Sequence, residues 1–121
     1  MSKLLVFCID ALCSSDVEAM RAMPHFGPYL ERAAVVERIE PVWPALTYCC
    51  HTSIITGCYV DRHGIDNNEI MRRGGLFDQP WHGLKADVRV PTLLDYAREH
   101  GLTTCSIAWP VSGGADYDYN M

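Results

Sequence analysis

Three short apolar runs constrain this chain more than any other feature: Lys3–Ile9 (KLLVFCI), Ala34–Glu40 (AVVERIE) and Leu102–Trp109 (LTTCSIAW). Each is short, apolar and rich in residues that favour extended backbone, so each reads as a strand. Helical stretches lie between them. Ser14, Ser15 and Asp16 are N-cap candidates for a helix over Val17–Met23, which Pro24 stops. His25–Ala33 reads as a second helical piece. Thr47–Thr56 reads as another, closed by Gly57, and Pro91–His100 is bounded by Gly101. This alternation predicts an α/β domain, with a mostly parallel sheet covered by helices on both faces. A βαβ unit takes about 30 residues or more, and three strands are few for such a sheet. The expectation is an incomplete fold, with residues 1–121 forming the N-terminal part of one domain.

Other segments carry turn chemistry. Pro41 and Pro44 impose an extended approach to Thr47, and Tyr59–Asn68 contains Asp61, His63-Gly64 and Asn67-Asn68. Arg72–Asp87 is irregular and long enough to be a functional surface loop or flap. The chain is 49% hydrophobic and 21% charged, a globular balance, with net charge −5. Its ten basic residues are scattered and only Arg72-Arg73 are adjacent, so no nucleic-acid-binding surface is expected. No apolar run nears the roughly 20 residues of a membrane span, so no membrane partner is expected either. The first apolar run ends on Asp10 without a small-residue cleavage site, which favours a strand over a leader. A cytoplasmic location is the expectation, with the six cysteines as reduced thiols. Cys8 and Cys105 are expected to be buried in strands.

The stretch Pro44–Gly57 (PALTYCCHTSIITG) concentrates the chemistry. Thr47 stands at the first turn of its predicted helix, where free N–H groups and the helix dipole favour anions. Its hydroxyl could cap the helix or, bound to a metal, attack an electrophile. His51 lies four residues on, on the same face, and a lone helical His is more often packed than ligating. The Cys49-Cys50 pair could suggest thiol chemistry, but adjacent helical side chains diverge. Asp10 follows a strand at its carboxyl end, where ligands bind in open α/β sheets. It could hold a cation or cap the next helix.

Together, FCID (7–10) and PVWPALTYCCHTSIITGCYVDRHGIDNN (41–68) resemble the type I phosphodiesterase/nucleotide pyrophosphatase family of the alkaline phosphatase superfamily. Thr56-Gly57, Tyr59, His63-Gly64-Ile65 and Asn67-Asn68 match its pattern. PTLLDYAREHGLTTCSIAWPVSGG (91–114) resembles its next helix, strand and Trp-Pro turn. The resemblance implies an alkaline-phosphatase-like fold and a hydrolase of phosphodiester or pyrophosphate bonds. It implies two divalent metal ions, zinc by analogy, in the complete protein. Asp10 and Thr47 would ligate one of them, and Thr47 would form a covalent phospho-threonine. The expected partner is a small-molecule phosphate ester, and a homo-oligomer is left open.

Two departures from the family pattern stand out. Cys49-Cys50 replaces Pro-Asn, which puts Cys50 in the position of an amide that contacts phosphate. A thiol is a weak donor, and one such contact is worth roughly 10²–10³ in rate. The family's remaining zinc ligands lie beyond residue 121, so these residues alone are expected to be inactive. The alternatives are a non-catalytic domain that binds phosphate esters, and a thiol enzyme using Cys49 or Cys50.

Overall fold

The computed structural model describes residues 3–36, 38–71, 74 and 79–121. They fall into two compact units, Met1–Glu40 and Pro41–Met121.

In the first unit, α1 spans Ser14–Arg21 and α2 spans Gly27–Leu30. The cap of α1 is Cys13, one residue before the expected candidates. Its amide donates to Asp16 Oδ2 at 2.8 Å and its thiol to the same oxygen at 3.0 Å. The thiol and then the amide hold the Asp16 carboxyl below its ordinary pKa. Pro24, Gly27 and Pro28 interrupt the next segment, so the predicted helix over His25–Ala33 shrinks to one turn.

The expected α/β architecture is overturned. Helices predominate, and the sheet found among the described residues is a single parallel pair. Lys3–Ile9 and the described part of Ala34–Glu40 form neither helix nor strand ladder among the described residues, and Glu37 lies outside them. Leu4, Leu5, Phe7, Val36 and Ile39 are all exposed, as are Cys8 and Cys105. The reason is physical. An apolar pattern states which side chains favour burial. A ladder also needs a neighbouring backbone about 4.8 Å away, and the described residues supply none to these two runs. An alkaline-phosphatase-like sheet with helices on both faces is therefore not what these residues build.

The second unit contains α3 (Thr47–Thr56), α4 (Val60–His63), a 3-10 turn at Lys85–Asp87, and α5 (Leu93–Glu99). Strands β1 (Cys105–Ser106) and β2 (Tyr119–Asn120) complete it. The bounds of α3 match the sequence expectation residue for residue, and Gly57 closes it at φ 65°. Gly64 closes α4 at φ 80°. A capping box holds α5: the Asp95 amide donates to Thr92 Oγ1 at 3.2 Å, and the Thr92 amide to Asp95 Oδ2 at 2.6 Å. Ile65, Val88 and Val111 form a small core, with Tyr48 and Val90 against it.

The predicted strand Leu102–Trp109 contracts to β1, and its partner β2 comes from a segment that carries no strand signal in the sequence. Cys105 pairs with Tyr119 and Ser106 with Asn120. Asp118 fixes this register by accepting from the Thr104 amide at 2.7 Å and its hydroxyl at 3.0 Å. Two-residue strands pinned by side chains leave no periodic trace in a sequence. Of the irregular segment Arg72–Asp87, residues 72, 73 and 75–78 lie outside the described residues.

Candidate active site

The site begins at the open end of α3. Leu46 is the N-cap and offers no side-chain acceptor. The first intrahelical bond is from the Cys50 amide to the Leu46 carbonyl at 2.9 Å. The amides of Thr47, Tyr48 and Cys49 therefore leave the helix end without helical partners. Asn68, beyond α4, takes one of them: its Oδ1 accepts from the Tyr48 amide at 3.0 Å. The sequence showed Asn67-Asn68 as turn residues and as a match to the family pattern, but not this contact.

Four Ser and Thr hydroxyls lie in Pro44–Gly57, and three are engaged structurally. Thr52 Oγ1 donates to the Tyr48 carbonyl at 2.7 Å, and Thr56 Oγ1 to the Thr52 carbonyl at 2.6 Å. Ser53 Oγ lies 2.9 Å from His63 Nε2. The His63 tautomer is fixed because its Nδ1 accepts from the Ile65 amide at 3.1 Å. Nε2 therefore carries the proton and donates to Ser53, so His63 cannot serve as a base for that hydroxyl. Burial also pushes the His63 pKa below its ordinary value, which keeps the ring neutral. The remaining hydroxyl, that of half-buried Thr47, makes no hydrogen bond among the described residues.

His51 is a packed residue. Its Nδ1 donates to the Thr47 carbonyl at 2.7 Å, the only sense possible for a carbonyl partner. Its ring meets Trp109 edge-on, with centroids 5.2 Å apart at 74°. Tyr48 meets Trp81 similarly at 5.3 Å. Neither ring pair was visible in the sequence, since each joins residues more than thirty positions apart.

Asp10 lies in the first unit, whereas Thr47 and Cys50 lie in the second. Asp10 is an exposed turn residue, followed by Ala11 in the left-handed region at φ 58°. It does not cap α1, because Asp16 closes that box.

The family model for type I phosphodiesterase / nucleotide pyrophosphatase matches residues 4–121. The chain belongs to this family. No solved structure matches it. Family membership carries a metal-dependent phosphoester or pyrophosphate hydrolase mechanism at the level of the family.

Against that family identity, the cysteines read as structural. Cys49 is fully buried, and burial, followed by the neighbouring Cys50 and Asp66, raises its pKa away from the thiolate form. A buried, protonated thiol is a poor nucleophile. Cys50 is half-buried beside it.

The metal centre of a phosphodiesterase needs more than these residues supply. Asp10 and Thr47 offer one carboxylate and one hydroxyl, short of the three or four protein ligands that zinc takes. Among the described residues, no three His, Cys, Asp or Glu side chains gather to hold a metal ion. These residues do not make up a two-metal centre by themselves. No helix among them is long and apolar enough to cross a membrane.

Proposed function

We propose that this chain carries the nucleophile of a hydrolase acting on phosphodiester or pyrophosphate bonds of small molecules, and that Thr47 is that nucleophile. One observation carries the reading. Of the four Ser and Thr hydroxyls in Pro44–Gly57, only that of Thr47 is unengaged among the described residues, and it stands where helix amides face outward. Thr47 Oγ1 attacks phosphorus and gives up its proton to solvent, and the bond from phosphorus to the leaving oxygen breaks, the leaving group taking up a proton from solvent. Water then attacks phosphorus, breaks the bond to Oγ1 and restores the hydroxyl. The Thr47 amide faces the charged oxygens, and Cys50 contributes at most a weak donor beside it.

Asp10 and the Thr47 hydroxyl are proposed as metal ligands, with zinc as the metal and the other ligands coming from residues outside this set. Such ions, when bound, lower the pKa of a coordinated hydroxyl and offset charge on the leaving oxygen. The shortage of ligands, with the uncovered apolar runs at 4–9 and 34–39, supports reading the chain as the N-terminal part of a larger catalytic unit. A reducing, cytoplasmic setting, in which the six cysteines stay thiols, is part of this proposed reading.

The test uses the complete protein and a p-nitrophenyl phosphodiester. Thr47→Ala should abolish turnover, and acid quenching of the wild type should trap phosphate on the peptide containing Thr47. Near-normal turnover in the alanine variant would remove Thr47 from the mechanism. The Cys50 replacement favours a second reading, a domain that binds phosphate esters without cleaving them. Calorimetric binding by the intact protein with no turnover would select it.

A further inference from the structure

Two of the three buried side-chain polar atoms of the second unit that lack a hydrogen-bond partner among the described residues belong to residues that line one cavity. They are Oγ of Ser106, a residue only 4% exposed, and the indole Nε1 of Trp109. Buried polar groups in folded proteins are nearly always paired, with protein or with ordered water. Both residues line one small cavity, whose other polar walls are Thr52, Thr92, Ser112 and Tyr117. The space is about that of a single water molecule.

The chemistry of the walls narrows the occupant. No charged side chain lines the cavity, which disfavours an ion. Thr52 already donates to the Tyr48 carbonyl, and Ser112 Oγ to the Trp109 carbonyl at 2.7 Å. The Thr92 hydroxyl donates to Asp95 Oδ2 at 2.9 Å, so the Tyr117 hydroxyl, 3.1 Å away, donates to Thr92 Oγ1 and keeps acceptor capacity of its own. What remains unmet is an acceptor for the indole N–H, which only donates, and a partner for the Ser106 hydroxyl. One neutral molecule that both accepts and donates satisfies both, and a water in such a site needs two to four polar partners.

We infer that this cavity is a binding site for one ordered water, which accepts from Trp109 Nε1 and donates to Ser106 Oγ. The water joins β1 to the turn that carries Trp109. That indole packs edge-on against His51, and His51 holds the Thr47 carbonyl. The bound molecule therefore fixes the orientation of a ring two contacts away from the first turn of α3. The site stands on its own geometry, whether or not Thr47 is a nucleophile.

The chain contains its own controls, because Trp43 and Trp81 are exposed. In ¹⁵N-labelled protein, the three indole N–H signals are recorded in water-selective nuclear Overhauser and rotating-frame experiments, with Trp109→Phe identifying its signal. Trp109 should show a water cross-peak of the sign that marks a long-lived contact, while Trp43 and Trp81 show only that of mobile bulk solvent. Ser106→Ala should weaken or remove the Trp109 peak and leave the other two unchanged. A Trp109 signal indistinguishable from the two exposed indoles would overturn the inference. So would a high-resolution crystal structure with Nε1 bonded directly to a protein acceptor.

Discussion

Replacing His63 by alanine tests the reasoning about the second unit most severely. The ring is fully buried and makes two hydrogen bonds, one to Ser53 at 2.9 Å and one from the Ile65 amide at 3.1 Å. Alanine leaves the amide of Ile65, itself a fully buried residue, unpaired, at a cost of about 1–3 kcal/mol. Half-buried Ser53 can turn to solvent at smaller cost. Losing the ring adds a cavity penalty of about 2 kcal/mol, at the low end for large-to-small core changes. The expected loss is about 3–5 kcal/mol, a large share of a typical domain's total. Urea unfolding at pH 7.5, followed by circular dichroism, reads it as a fall in midpoint.

The pH dependence supplies a second, independent readout. The folded pKa of His63 lies below its unfolded value of about 6.5. The unfolded state therefore binds the proton first as pH falls. The contribution of the neutral ring is complete above about 6.5 and is lost as pH falls through the depressed folded value. The wild type should weaken over that window more steeply than the variant. A loss below about 1 kcal/mol, or identical pH slopes for the two proteins, would refute the tautomer assignment and the burial argument together.

Two further perturbations probe the scaffold. Thr92→Ala should lower stability by about 1 kcal/mol through loss of the α5 cap, read as a drop in Tm. Burial tends to raise the Asp95 pKa, but the Thr92 amide, Lys85 at 3.1 Å and the Thr92 hydroxyl outweigh it and lower it. That stabilisation is present above about pH 3.9 and is lost as pH falls through the lower folded value, so acid titrations of wild type and Asp95→Asn should converge at low pH. Gly64→Ala should cost more than Gly57→Ala. Both positions lie at positive φ, worth about 1–2 kcal/mol, but only at 64 would the new Cβ meet a side chain, 2.5 Å from Arg89 Nε. Equal midpoints in urea for the two variants would contradict the contact.

What could be read from the sequence was local. The bounds of α3 come from Pro44, a run of small residues and Gly57, all within one segment; α5, expected over Pro91–His100, spans Leu93–Glu99, because Thr92 and Asp95 close its cap after Pro91. The family was legible because its motif residues stand in order along 7–10 and 41–68. What could not be read was pairing. Leu4–Ile9 and Val35–Ile39 announce an appetite for burial but not the backbone that would meet it, and their described apolar residues are exposed. The supports of the candidate site were hidden for the same reason. Asn68 reaches back twenty residues to Tyr48, and Trp109 reaches fifty-eight to His51, across separations that no periodicity encodes.

The bond from the Tyr48 amide to Asn68 sets two demands against each other. A carboxylate at position 68 would be the stronger cap, since negative charge at a helix start is favoured. On the proposed reading of Thr47, it would also stand a fixed anion beside the amides that a phosphoryl group approaches. A neutral carboxamide closes one amide and adds no negative charge. With Thr47 as the proposed nucleophile, firmness of the scaffold and attraction for an anionic substrate draw on the same few N–H groups at this helix end, and asparagine divides them without adding a repelling charge.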